Sequence, residues 1–474
     1  MVGEIMDNNA KGTVDMLHST NARNAIKLKV AFFSLGCRVN QAESEALAQL
    51  FENEGFEVIE ESSYADIIVI NTCTVTSTAS SKSRKLIRRL VRSNPDSVIA
   101  VMGCYSQIEP GIVEKIEGVD LILGTRNRAD VVKHIQRIIE EKKFDKNKIA
   151  ECKDIVKPLN MVKPLNVIKK FEYEELPLVQ HESRIRAMLK IQDGCSQFCT
   201  YCIIPYTRGP SRSRKPEKVL EEARRLIKAG YQEIVLTGIH IGYYGQDLKE
   251  EKYELSDIVR LLADLPGMNR LRLGSVEPME VTESLLELVA EGRVVCPHFH
   301  IPLQSGSDSV LKRMGRPYNT EKYYNIVEKI RAIVPYAAIS ADVIVGFPGE
   351  TEEEHRETVR FIEKCKLANI HVFPYSRRPG TPAAEMKGQL SNKVKAERVK
   401  EIINIGKIAH NKYVEKFYGE TLEILIETID EKGNARGHTS NYLEIKIPAF
   451  LNPGNWEEGL LVDCEIQQSR LVEQ

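Results

Sequence analysis

From Leu28 to about Lys142 the chain alternates short apolar runs with amphipathic stretches. The runs KVAFFSLGC, DIIVINTC, SVIAVMGC and VDLILGT are rich in Val, Ile and Leu, and each ends at a glycine or a polar turn. Strands buried on both faces read as continuous apolar runs, so residues 28–142 predict a parallel α/β sheet. A second series fills residues 181–410. Its predicted strands are AMLKIQ, EIVLTG, LRLGSVEP, HFHIPLQS, ADVIVGFPG and IHVFPYS, separated by helical segments such as PEKVLEEARRLIKAG, SDIVRLLADL and EEEHRETVRFIEKCK. Six strands at this spacing predict a parallel barrel or partial barrel, with chemistry at the carboxyl ends of the strands. From Asn411 the pattern changes to ETLEILIETID, NYLEIKIP and LLVDCEIQ with a turn at EKGN, which predicts a small β-barrel over residues 411–474. Residues 143–180 are charged, contain proline and carry the tandem VKPLN-M-VKPLN; they read as a linker. Residues 1–27 read as a polar extension.

A chain of 474 residues suggests about three domains, in agreement with this division. Hydrophobic content of 42% and charged content of 28% are those of an ordinary globular protein. No apolar run is long enough to cross a membrane, and the first residues lack the apolar core of a secretion signal. A cytoplasmic protein without a membrane partner is therefore expected. The net charge of −1 argues against a uniformly basic nucleic-acid coat, so any such contact must come from local patches. Two candidates stand out. The segment SKSRKLIRRLVR holds Lys82, Arg84, Lys85, Arg88, Arg89 and Arg92, and a second group holds Arg208, Arg212, Arg214 and Lys215. Charge runs are usually solvated faces; two of them beside cysteine groups suggest a phosphate path.

Ten cysteines in such a chain point to metal binding or catalysis rather than disulfides. Cys37, Cys73 and Cys104 each follow the carboxyl end of a predicted strand. Parallel strands place those ends along one edge, where such folds bind ligands, so the three thiols should converge. Cys195, Cys199 and Cys202 form C-x3-C-x2-C after the first strand of the second series. A structural zinc site wants four ligands and no fourth lies nearby, so zinc is the alternative only with a remote fourth ligand. Three clustered thiolates suit a cubane iron–sulfur cluster with one iron open to a further ligand. Cys152, Cys296, Cys365 and Cys464 lack ligand spacing and read as structural, and His298 and His300 alternate as inward-facing strand residues.

The segment GCSQFCTYCIIPYTRGPSRSR resembles the radical S-adenosylmethionine motif, and the six strands resemble that superfamily's (β/α)6 partial TIM-barrel. The resemblance implies that S-adenosylmethionine chelates the open iron and is split by one electron to give a 5′-deoxyadenosyl radical. GCRVNQAESEAL, NTCTVTSTASSKSRKLIRR and GCYSQ are similar to the Rossmann-like amino-terminal domain of the methylthiotransferases. That implies a second 4Fe-4S cluster on Cys37, Cys73 and Cys104, whose associated sulfur is methylated and transferred. The tail resembles the TRAM RNA-binding barrel. By fold analogy, Gly238, Glu277, Gln304 and Gly346 are expected to contact S-adenosylmethionine.

Among sister groups, GCRVNQ-x-E-S and NTCTVT most resemble the enzymes that act on N6-threonylcarbamoyladenosine in tRNA. The expected reaction is methylthiolation of carbon 2 of that adenine, 3′ of the anticodon. The expected partners are tRNA and a flavodoxin- or ferredoxin-like electron donor. The competing readings are the same chemistry on isopentenyl-adenosine or on a ribosomal protein, and a non-catalytic iron–sulfur RNA-binding or sensor protein.

Overall fold

The computed structural model describes residues 27–60, 64–144, 172–176, 185–248, 253–451 and 456–470. The polar extension up to residue 26, the VKPLN tandem and Cys152 lie outside the described residues.

Five parallel strands form the first sheet: β1 (Lys29–Ser34), β2 (Glu57–Ile59), β3 (Ile67–Thr72), β4 (Val98–Gly103) and β5 (Leu121–Ile122), in the order β2-β1-β3-β4-β5. Every residue of β3 and β4 is buried, because both faces are covered. Successive side chains point to opposite faces. Ile67 and Val69 accordingly pack with Leu47, Phe51 and Ile135, while Ile68 and Ile70 pack with Ile87 and Leu90. At ~1.5–3 kcal/mol for each fully buried aliphatic side chain, these two layers fix the register of the sheet. Strand β2 was not foreseen, since it is a three-residue edge strand with a charged start.

In this order the chain direction of assembly reverses between β1 and β3, and a crevice opens there at the carboxyl edge. Strands β1, β3 and β4 are adjacent, so the residues that follow them stand side by side. Those residues are Cys37, Cys73 and Cys104.

The second series contains the six expected parallel strands: β6 (Arg186–Lys190), β9 (Glu233–Thr237), β10 (Arg270–Arg272), β11 (His298–His300), β12 (Ala338–Val345) and β13 (Asn369–Pro374). A short antiparallel ribbon, β7 (Gln192–Asp193) with β8 (Arg212–Ser213), lies between the first two. Pairing runs β6-β9-β10 and β11-β12-β13, and the parallel bridges Leu271–Val295 and Ser275–His300 join the halves. Among the described residues β6 and β13 do not pair, so the barrel is partial.

The apolar residues of these strands, among them Leu189, Leu236, Leu271, Phe299, Ala341 and Val343, belong to the core under the helices. Their alternates therefore face the lumen: Arg186, Lys190, Glu233, Arg272, His298, His300, Asp342 and His371. The lumen is polar, unlike the aliphatic filling of an eight-stranded barrel.

Helix Asn392–Val414 passes through residue 411, and strand structure resumes at β14 (Thr421–Ile429). With β15 (Ala435–Thr439), β16 (Glu444–Ile447) and β17 (Leu461–Glu465) it makes a four-stranded antiparallel sheet, order β16-β15-β14-β17, where a small barrel was expected. Strand β15, sequence ARGHT, escaped the sequence reading because it has almost no apolar residue.

This sheet closes the amino-terminal end of the barrel. Arg270 donates to the carbonyls of Glu423 (2.7 Å) and His438 (3.1 Å), and Arg272 donates to Ser440 O (2.8 Å). Glu233, fully buried, holds Arg272 Nε at 2.6 Å and Arg186 Nε at 2.8 Å. Tyr442 stacks on His298 with ring centroids 4.7 Å apart, and the Arg272 guanidinium lies 4.8 Å from the Tyr442 ring.

Candidate functional site

Both cysteine groups lie where the topology predicts. Cys37 precedes helix Arg38–Asn53, Cys73 follows β3, and Cys104 opens the short helix after β4. The chain must pass very close here. Gly36 has φ +114°, and a Cβ on it would stand 2.8 Å from Cys73 Sγ, so only glycine fits before Cys37. Asn40 clamps the loops around the first two thiols, donating to Leu35 O (2.9 Å) and Thr72 O (3.1 Å). Asn71 in turn donates to Asn40 O at 3.0 Å. These contacts explain why both motifs carry an asparagine.

The second group sits on a loop based on the β7–β8 ribbon. Cys195 N donates to Gly209 O at 3.0 Å, and Cys202 N donates to Cys199 O at 3.0 Å. A Cβ on Gly194 would stand 2.1 Å from Pro210 O, so this glycine too is required before its cysteine. Gln192 stitches the site together. Its Nε2 donates to Gly194 O (2.8 Å), and its Oε1 accepts from Ile239 N (3.0 Å) and His240 N (2.8 Å). Tyr201, immediately before Cys202, packs edge-on against Phe347.

All nine cysteines among the described residues are free thiols. Burial pushes Cys73, Cys199 and Cys202 above the ordinary thiol range, and Cys104 up to about 12. Without a metal these groups are neutral at physiological pH; bound iron supplies the charge that makes them thiolates. Among the described residues no three Cys, His, Asp or Glu side chains close on one point as a single ion needs. Cubane ligands each take a different iron, so they need no such convergence.

The donor set fits iron–sulfur ligation in a second respect: cations face the sulfurs. Arg316 Nη1 lies 3.1 Å from Cys199 Sγ, and His240 Nδ1 lies 3.6 Å from Cys195 Sγ. The far nitrogen of His240 pairs with Glu280 at 2.5 Å. Burial works against the protonated ring, but bonds to Cys195 and Glu280 outweigh it and raise His240 to about 10. Neither residue was singled out from the sequence, because each reaches its cysteine from a different barrel strand.

The four residues expected near S-adenosylmethionine all stand at the carboxyl-terminal rim. Gly238 follows β9, and Gly346 follows β12 with its N–H donating to Glu350 at 2.5 Å. Glu277 pairs with Arg316, and burial raises its carboxyl. Gln304 has φ +65° and bridges to Val343.

The second basic group is not a phosphate path. Arg208, Arg212 and Arg214 are buried, and only Lys215 is exposed. Arg208 donates to Asn40 Oδ1 (2.8 Å), Glu43 (2.7 Å) and Asp193 Oδ1 (3.0 Å). Arg212 donates to Asp193 at 3.0 Å, and Arg214 binds Glu175 at 2.8 Å and also Glu222. Lys190 and Arg128 complete the cluster around Glu43 and Asp193. Burial alone would raise these two carboxyls; the cations win and hold both well below the usual carboxylate range. The acids come from distant segments, which a local charge run cannot show.

The first basic group is mostly solvent-exposed. Lys82, Lys85, Arg88, Arg89 and Arg92 are exposed on helix Ser77–Ser93, directly after Cys73. Arg84 instead turns toward Tyr105, donating at 3.2 Å. Among the described residues no helix is long and apolar enough to cross a membrane.

With this geometry established, comparisons with known proteins are specific. Residues 189–362 match the radical SAM superfamily, and residues 29–124 match the "Uncharacterized protein family UPF0004". The chain is 43% identical to a threonylcarbamoyladenosine tRNA methylthiotransferase of Bacillus subtilis, over 88% of this chain and 89% of that protein. A protein of the same name from Aquifex aeolicus is 35% identical, over 90% and 98%. A tRNA-2-methylthio-N(6)-dimethylallyladenosine synthase of Carboxydothermus hydrogenoformans is 37% identical, over 83% and 86%. Among solved structures, a radical S-adenosylmethionine methyltransferase from Kitasatospora setae shares the fold at a TM-score of 0.54 and 16% identity, covering 76% of this chain and 77% of that one. Thiol sets, barrel and relatives agree: the chain belongs to the methylthiotransferase family of radical S-adenosylmethionine enzymes, which use S-adenosylmethionine and two 4Fe-4S clusters.

Proposed function

We propose that this enzyme converts N6-threonylcarbamoyladenosine, 3′ of the anticodon in tRNA, to its 2-methylthio derivative. The observation that carries the reading is that one buried guanidinium, Arg208, ties the Cys37 loop to the Cys195 loop through Asn40 and Asp193. Two cysteine loops tied by one shared cation suit a transfer that needs both clusters at one substrate carbon. The names of the Bacillus and Aquifex relatives support the substrate, as does the polar lumen, which suits a charged substituent better than a hydrocarbon one.

In this reading Cys195, Cys199 and Cys202 ligate the radical cluster, and Cys37, Cys73 and Cys104 ligate the auxiliary one. When bound, these groups supply hydrogen abstraction from the substrate carbon and the sulfur that replaces it. The chain's own residues position and shield. Arg316 and His240 donate to ligating sulfurs, Tyr201 and Phe347 exclude water, and Gly238, Glu277, Gln304 and Gly346 line the S-adenosylmethionine seat. The exposed cations of helix Ser77–Ser93 and the tail sheet, the RNA-binding TRAM unit of this reading, hold the tRNA backbone. The division into residues 28–142, a barrel unit from 181 and a tail unit follows these roles, with the last boundary falling after helix Asn392–Val414 rather than at residue 411. The enzyme works in the cytoplasm and takes electrons from a flavodoxin- or ferredoxin-like protein.

The test uses anaerobically reconstituted enzyme and an anticodon stem–loop carrying N6-threonylcarbamoyladenosine. Mass spectrometry should show the methylthio product together with 5′-deoxyadenosine. An enzyme that leaves this RNA untouched but methylthiolates a dimethylallyladenosine stem–loop overturns the substrate.

A further inference from the structure

The residue after Cys37 is turned into the barrel. Arg38 begins its helix, is half-buried, and reaches across to the tail, where Nη2 lies 3.5 Å from the Tyr442 hydroxyl. Tyr442 is the residue that stacks on His298 at the closed end of the lumen. Arg38 also lies near enough to His298 and His371 to disfavour their protonation. The guanidinium thus stands inside the lumen, between the auxiliary thiols and the floor.

Its surroundings are arranged in an unusual way. The other lumen cations Arg186, Lys190 and Arg272 are each paired with a carboxylate. Arg38 has no carboxylate partner among the described residues. Asp342, an acid on the same lumen wall as His371, is engaged by His300 at 3.1 Å. His371 lies beside that pair, its ring 5.6 Å from His300, and is exposed like the neighbouring Phe373. An uncompensated arginine on an open polar wall, one residue from a cluster ligand, is placed to receive an anion that enters from the cluster side.

We propose that Arg38 binds the carboxylate of the threonyl moiety of the substrate nucleoside, with the His300–Asp342 pair and His371 lining the same subsite. The inference rests on the proposed substrate and adds the residue that reads it. Adenine carbon 2 must lie between the clusters, and the substituent on the amino group then extends down the lumen toward Arg38. A carboxylate there completes the arginine, whereas an apolar substituent leaves the guanidinium desolvated and unpaired.

The test measures binding of three stem–loops to the holoenzyme by fluorescence anisotropy: one with N6-threonylcarbamoyladenosine, one with its carboxamide analogue, and one with dimethylallyladenosine. Wild type should prefer the acid over the carboxamide about ten- to hundredfold, the scale of a charged hydrogen bond. Arg38→Gln should bind acid and carboxamide equally, and Arg38→Lys should keep part of the preference. Iron content and the electron paramagnetic resonance spectrum of each variant check that the cluster beside Cys37 is intact. Should Arg38→Gln lose that cluster, Tyr442→Phe serves instead: it removes the contact that orients Arg38 and should lower the acid preference while binding the carboxamide as wild type does. Loaded Arg38→Gln that still prefers the acid as wild type does, or an unchanged preference in Tyr442→Phe, overturns the inference. Wild type that binds dimethylallyladenosine best would instead overturn the proposed substrate, so the two failures are distinct.

Discussion

Asn40 and Asp193 accept hydrogen bonds from the same guanidinium, that of Arg208, at 2.8 and 3.0 Å. Asn40 lies three residues beyond Cys37, and Asp193 lies two residues before Cys195. The separation of the two cysteine groups is therefore set by a buried side chain rather than by loops alone.

Breaking that tie should be costly. Removing one member of a buried ion cluster leaves uncompensated charge and costs about 3–5 kcal/mol. Arg208→Ala should lose less than that, about 1–3 kcal/mol in denaturant unfolding of the metal-free protein, because Asn40 Oδ1 loses its donor while Arg128, Lys190 and Arg212 still hold Glu43 and Asp193. A loss below about 1 kcal/mol would mean the cluster does not hold the domains together.

The two cysteine groups should have separable roles. Cys199→Ala should abolish 5′-deoxyadenosine formation. Cys73→Ala should retain some uncoupled cleavage of S-adenosylmethionine but give no methylthio product, as chromatography of both products will show. Product at the normal rate from Cys73→Ala would remove the auxiliary site from the account.

Hydrogen bonds to cluster sulfurs raise reduction potential. Arg316→Gln removes the charged donor 3.1 Å from Cys199 Sγ, so the radical cluster should form yet require a stronger reductant. A spectroscopic redox titration checks this. An unchanged midpoint would show that Arg316 serves only its other partners, Glu277 and Tyr318.

Of the two basic segments, only one should matter for RNA. Changing Arg88, Arg89 and Arg92 to Gln should weaken tRNA binding and flatten its salt dependence by ~0.7–0.9 log units per lost phosphate contact. Arg212→Gln should leave the salt slope unchanged and lower thermal stability instead, because Arg212 is spent on Asp193.

Much of this arrangement was legible in the sequence. The apolar runs mark β1, β3 and β4, and the rule that parallel strands share a carboxyl edge places Cys37, Cys73 and Cys104 together on it. The same reading located all six barrel strands. What stayed hidden depended on partners distant in the chain. Arg208 and Arg212 looked like surface cations because their acids, Glu43 and Asp193, belong to other elements. His240 and Arg316 carried no motif, since their proximity to Cys195 and Cys199 is created by barrel closure. The edge strand β2 and the polar strand β15 lacked the periodicity on which strand recognition depends.

The central claim is tested most directly by mass spectrometry of nucleosides from bulk tRNA of cells with and without this gene. The account predicts that 2-methylthio-N6-threonylcarbamoyladenosine disappears and its unmethylthiolated precursor accumulates. Unchanged tRNA nucleosides, or loss of a methylthio group from dimethylallyladenosine instead, would contradict it.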